Sequence, residues 1–185
     1  MKRILDQHAK WLRKEGGGKR ADLSGTDLKG KYFCSINLSS ANLTHANLED
    51  AYLEHADLTG ACLTHVNLTL VDLMFAKLRN ANLKDANLEK ANLAGADLSN
   101  ANLTGANLTD VCLTSANLKG ANLTRADLRS AHLNNANLEG AILTNAKLEQ
   151  ADLTDATHIP SHVKYKKQII SAKISSYIKG IVRIG

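Results

Sequence analysis

The sequence predicts an all-β solenoid, a chain that turns a corner every five residues and stacks its short sides into a rod. Three observations carry this. From Leu23 to Leu153 every fifth residue is Leu, with Phe33 the only substitution in 27 consecutive positions. The residue two before each is Ala in 21 of those units, and the residue just before is Asn or Asp in 19. The two places that follow hold mostly Thr, Ser, Glu, Lys, Gly or Asn.

A period of five suits neither regular element. Five residues advance an α-helix by about 140° and would scatter the leucines around the cylinder. A continuous strand would send Leu23 and Leu28 to opposite faces, because its side chains alternate. If the chain bends every five residues, each side points its Leu and the preceding Ala at a common axis, and the other three positions face water. Asn, Asp and Gly tolerate tight turns, and Thr suits a stacked extended surface. Such a rod is stabilised nearly in one dimension, so both ends need covers.

Residues 1–20 read as an N-terminal cap and linker. Ile4, Leu5, His8, Trp11 and Leu12 fall at i, i+1, i+4, i+7 and i+8, one face of a helix. Gly16-Gly17-Gly18 ends it and lets the chain bend into the first coil, and Trp11 is large enough to cover the open core. The segment has one aromatic residue, which makes it a weak anchor on a membrane surface.

Residues 21–156 are the repeat. Thr44, Thr64, Thr104, Thr124 and Thr144 recur at multiples of twenty, with Lys84 interrupting, and Tyr32 with Tyr52 and His45 with His65 share that spacing. The A-N-L-x-x units, such as Ala41-Asn42-Leu43-Thr44-His45 and Ala101-Asn102-Leu103-Thr104-Gly105, resemble the pentapeptide repeat family. The resemblance implies a right-handed quadrilateral β-helix with four units per coil. The 27 units would then make about seven coils, roughly 33 Å long at the usual inter-strand spacing.

Residues 157–185 follow a break at Ile159-Pro160 and form a basic amphipathic segment. Val163, Ile170, Ile174, Tyr177, Ile178 and Ile181 fall at helical intervals, with Lys164, Lys166, Lys167, Lys173 and Lys179 largely elsewhere. A C-terminal helix is the expectation, acting as a cap or as a homodimer interface, although β-branched Ile lowers its propensity. Similar proteins often dimerise end to end.

Charge is uneven. Residues 1–20 net +5, the repeat nets −6 and residues 157–185 net +6. The start of the chain lacks the apolar core of a signal peptide, and no stretch approaches 18 apolar residues, so cytoplasmic residence is expected. Cys34, Cys62 and Cys112 are odd in number and lack metal-ligand spacing, which favours free thiols. His45 and His65 share a side while His55 falls opposite, so the three cannot converge on a metal. The repeated Asn-Leu-Thr triplets match a glycosylation acceptor only because the repeat produces them. No phosphate-binding glycine loop and no nucleophile with a base partner is present, and no enzyme, cofactor or metal is expected.

Function is therefore sought where the repeat breaks its own rule. Leu70, Met74 and Phe75 occupy outward places, and Val66 and Val71 replace the inward Ala. On a twenty-residue coil, Tyr52 lies one coil earlier on the side bearing Met74 and Phe75, with Leu70 at the adjoining corner. These four residues form one expected apolar patch, and the expected function is a non-enzymatic scaffold that binds a protein partner. The resemblance supplies an alternative, since some family members confer fluoroquinolone resistance or inhibit DNA gyrase by imitating duplex DNA. That mechanism requires a dense negative surface, and Lys77, Arg79, Lys84, Lys90, Lys119, Arg125 and Arg129 interrupt the acidic face here. Direct nucleic-acid binding is not expected, because basic and aromatic residues do not interleave.

Overall fold

The computed structural model describes residues 1–164. Every parallel bridge in the repeat joins residue i to residue i+20, from Asp22 with Asn42 to Asn137 with Thr157. The coil is therefore twenty residues with four five-residue sides. We call these A, B, C and D, represented in the first coil by residues 21–25, 26–30, 31–35 and 36–40.

The A-N-L-x-x unit satisfies all five of its backbone N–H groups, which explains its composition. The Ala N–H closes each turn onto the preceding Leu carbonyl, as Ala41 does onto Leu38 at 3.0 Å. The Asn N–H reaches back one coil, from Asn42 to the Ala21 carbonyl at 2.9 Å. The Leu N–H and the last N–H of the unit reach forward, from Leu23 to Asn42 O at 2.7 Å and from Gly25 to Thr44 O at 2.9 Å. The remaining N–H, just after Leu, is taken by the Asn or Asp side chain two residues earlier, as Thr104 N–H is by Asn102 Oδ1 at 3.1 Å. An unpaired buried amide is costly, so the Asn or Asp is part of the backbone accounting and not merely a corner residue. Its amide NH2 adds a rung between coils, as from Asn107 to Asn87 Oδ1 at 3.0 Å.

The two positions after Leu are not equivalent. The second has positive φ at every corner, near 55–70°, while the first does not, which is the signature of a type II turn. That second place therefore favours Gly, Asn, Asp and Ser and holds no β-branched residue, whereas Thr collects at the first. Leu70 and Phe75, with φ of 59° and 57°, are bulky residues held in this left-handed corner.

Inside, Leu stacks on Leu and Ala on Ala with almost no exposure through the middle of the rod. Each buried Leu contributes roughly 1.5–3 kcal/mol. The turn bond is 3.0–3.1 Å wherever the inward residue is Ala, and it lengthens to 3.3–3.4 Å at Val66, Val71 and Val111. The longer bond goes with Val inside the stacked coils, whereas Ile36 in the first coil keeps 3.1 Å.

Helix α1 (Lys2–Leu12) packs Ile4 and Leu5 against the first coil. His8, rather than Trp11, is the residue that enters the end of the rod. His8 is 1% exposed, and its Nδ1 accepts the Ala21 N–H at 3.0 Å. Trp11 is 37% exposed and stacks on the His8 ring at a centroid distance of 5.6 Å. Gly18 passes close to the Trp11 backbone, where a Cβ would collide with it. Leu12 is half-buried. Helix α2 (Ser161–Lys164) buries Val163 at the other end. The expected C-terminal interface residues Ile170, Ile174, Tyr177, Ile178 and Ile181 lie outside the described residues.

Candidate functional site

Among the described residues, side C of the first three coils and its corners carry the largest group of exposed apolar side chains, Tyr32, Leu70 and Phe75. Tyr52 is bridged to both Tyr32 and Asp72, and the Tyr32 and Tyr52 rings stack at 4.6 Å with their planes 3° apart. Tyr32 is 78% exposed and forms the outer end of the stack. At the corner after side C, His55 stacks on Phe75 at 5.2 Å. Gly95 continues that column, and its missing Cβ leaves room for the Phe75 ring. Leu70 stands at the corner before side C, and both it and Phe75 are 51% exposed. Met74 is half-buried beside Phe75.

The structure thus places Tyr52, Leu70, Met74 and Phe75 on one side and its two flanking corners. Sequence reasoning left out Tyr32 and His55. The signal for both was present as the twenty-residue spacing from Tyr32 to Tyr52 and from His55 to Phe75.

The patch has an acidic rim. Asp50, Glu54 and Asp72 lie around it, against Lys31 of side C and Lys90, which follows Leu70 one coil on at the same corner as Asp50. The Asp50 carboxylate, followed by the neighbouring Tyr32, holds the Tyr52 phenol above its usual range. Beyond the patch, side C carries no formal charge from Asn92 to Asn135.

The other chemistry is dispersed. His45 and His65 stack at 4.9 Å on side A, opposite His55. Among the described residues no cluster of His, Cys, Asp or Glu could hold a metal ion. The three cysteines are free thiols, with Cys34 exposed and Cys62 and Cys112 half-buried. Thr44 Oγ1 lies 3.2 Å from Cys62 Sγ and, with lesser help from Thr64, lowers that thiol's pKa. Charges pair along the rod, as Lys29 does with Glu49 at 2.7 Å and Lys119 with Glu139 at 2.9 Å. Asp127, held first by Arg129 and then by Lys147, has its pKa lowered to about 2. No helix among the described residues is long and apolar enough to cross a membrane.

The pentapeptide repeats family model matches in eight copies, over residues 19–54, 36–73, 51–89, 81–120 and 121–157. Among solved structures, the chain is 36% identical to HetL, a pentapeptide repeat protein involved in heterocyst differentiation regulation from the cyanobacterium Nostoc sp. strain PCC 7120. That match covers 73% of this chain and 71% of HetL, with a TM-score of 0.62. QnrB1, a plasmid-mediated fluoroquinolone resistance protein, is 21% identical over 88% of this chain and 81% of its own, with a TM-score of 0.48. Rfr23 from the cyanobacterium Cyanothece 51142 is 28% identical over 73% and 89%, with a TM-score of 0.38. No curated protein sequence matches. With a repeat model spanning most of the chain and an HetL likeness over nearly three quarters of it, the protein belongs to the pentapeptide repeat family.

Proposed function

We propose that this protein is a non-enzymatic interaction scaffold, a rod of about seven coils closed at one end by α1, whose partner-binding surface is the aromatic patch on side C. One observation carries the reading: Tyr32 on Tyr52 and His55 on Phe75 form two ring stacks beside exposed Leu70, concentrating on one side and its corners apolar and aromatic groups that the rest of the repeat shows only singly, as at Ile142, or as the His45–His65 pair of side A. Aromatic side chains supply large contact area at low entropic cost, and clusters of them mark protein contact sites. Around the patch the carboxylates of Asp50, Glu54 and Asp72 outnumber Lys31 and Lys90, a balance that suits a partner segment combining apolar side chains with a few basic ones.

Imitation of DNA is the weaker reading on charge. Sides A and D each carry equal numbers of acidic and basic residues, and sides B and C net only −3 apiece. A site built for phosphates would meet no continuous negative face.

Partner capture with wild type and Phe75→Asp tests the proposal. We expect binders retained by wild type to be lost with Phe75→Asp and kept with the control Thr104→Asp on side A. An identical set of binders for all three would refute it.

A further inference from the structure

Two exposed surfaces of opposite charge lie near the same end of the rod. The first is the outer face of α1. Ile4, Leu5 and His8 turn its inner face onto the first coil, which leaves Arg3, Lys10 and Arg13 exposed on the outer one, with Lys14 just beyond and Asp6 the only acidic residue of the helix. Arg13 pairs with Glu15, while Arg3, Lys10 and Lys14 make no ion pair among the described residues. Trp11, 37% exposed, stands at the flank of this face. The second surface is the side C patch. Its Asp50 and Glu54 also make no ion pair among the described residues, and they lie among the rings of Tyr52, His55 and Phe75.

Each surface carries what the other lacks. Lys and Arg lay their apolar stems along hydrophobic surface while their heads reach carboxylates, and a cation over an aromatic ring is attracted to its face. Within one molecule the two surfaces cannot meet. The Ala21 N–H bond to His8 Nδ1 and the packing of Ile4 and Leu5 hold α1 across the end of the rod, so its outer face points away from the coils while side C faces sideways. The complement must come from another molecule.

We propose that the capped end of one copy docks on the side C patch of a second copy, setting the basic outer face of α1, with Trp11 at its flank, against Tyr52, Glu54 and Phe75. The footprints agree. The 11 residues of α1 make a helix about 16 Å long, and a patch over three coils is roughly 15 Å tall at the usual inter-strand spacing. A contact of this size is weak, and its charges make it sensitive to salt. Because two different surfaces meet, each copy keeps one free cap and one free patch, and association continues beyond a symmetric pair. The inference rests on side C being the binding face and names its occupant.

Analytical ultracentrifugation of the full chain from about 10 μM to about 1 mM at low salt tests it. We expect the average mass to rise with concentration, and the rise to be lost in about 0.5 M salt. Two variants locate the contact. Arg3→Glu, Lys10→Glu alters the cap, and its first substitution puts an acidic residue in a first turn that has none, where the helix dipole favours it. Glu54→Thr, Phe75→Ser alters the patch with residues the repeat already uses at those places, as at Thr114 and Ser115. Each variant alone should lose the rise. Mixed, they should form a one-to-one pair, since the intact cap of one meets the intact patch of the other. Should the cap variant unfold, Arg3→Gln, Lys10→Gln replaces it with the same outcomes expected. A wild type that stays monomeric throughout, a rise that survives either variant, or a mixture that does not pair would overturn the proposal. A monomeric wild type that still captures another protein through Phe75 would overturn the occupant alone and leave side C as the binding face.

Discussion

Serine stands at two adjacent places in the first coil, Ser39 and Ser40, and the fold treats them differently. Ser39 occupies the first turn position, where its N–H is bonded to Asn37 Oδ1 at 3.0 Å. Ser40 occupies the second, with φ of 59°. The same added methyl should therefore have unequal effects. Ser39→Thr should stay within about 0.5 kcal/mol of wild type, whereas Ser40→Thr should cost about 1–2 kcal/mol by forcing a β-branched residue into the left-handed region. Denaturant unfolding of the two variants checks this; equal costs would show that the corners are not the type II turns described. The sequence already held the asymmetry, since Thr recurs after Leu but never one place later. It went unread because both places are polar and outward, and polarity alone does not distinguish a left-handed corner from an ordinary one. The role of Asn and Asp was half legible. Their fitness for turns follows from residue type, but the N–H each one satisfies becomes visible only with the ladder in place.

At the scale of elements, α1 is a cap tied to the rod through an imidazole. Burial, followed by the nearby Arg20 charge, lowers the His8 pKa from its ordinary value of 6.5, with the Ser39 carbonyl acting weakly the other way. Its Nδ1 must be unprotonated to accept the Ala21 N–H. The native state thus favours neutral His8, and the unfolded chain binds the proton more readily. Cap stability should be complete above pH 6.5 and decline as the pH falls from there through the lowered native value. Trp11, the one tryptophan in the chain, stacks on His8 and reports this directly. Its fluorescence should change as the pH falls below 6.5 in wild type and stay flat in His8→Gln; a flat response in wild type would contradict the cap geometry. The helix and its buried face were legible from apolar spacing. Which residue enters the rod was not, because size favoured Trp11, while the bond from the Ala21 N–H to His8 Nδ1 is a tertiary fact.

For the whole molecule, regularity has two consequences. Each coil rests on its neighbours through the same bonds, so the bend every five residues could be read from the leucines, while the four-sided coil followed from the family resemblance and is shown by the bridges from i to i+20. The same regularity makes most surface positions interchangeable and concentrates functional information in the departures. The apolar and aromatic departures are densest on side C in the first three coils, where two ring stacks replace the usual small polar residues, while His45, His65 and Ile142 depart on side A. The sequence reading found four members of the patch through the coil period and missed Tyr32 and His55, whose contribution depends on ring contact. The claim that one side of the rod is the binding face is tested most directly by titrating a captured partner against single aspartate substitutions on different sides. Tyr52→Asp and Phe75→Asp should each weaken binding by roughly tenfold or more, the loss expected for an interface anchor, while Thr104→Asp on side A and Ser99→Asp on side D should leave it unchanged. Equal weakening from all sides, or none from side C, would contradict the account.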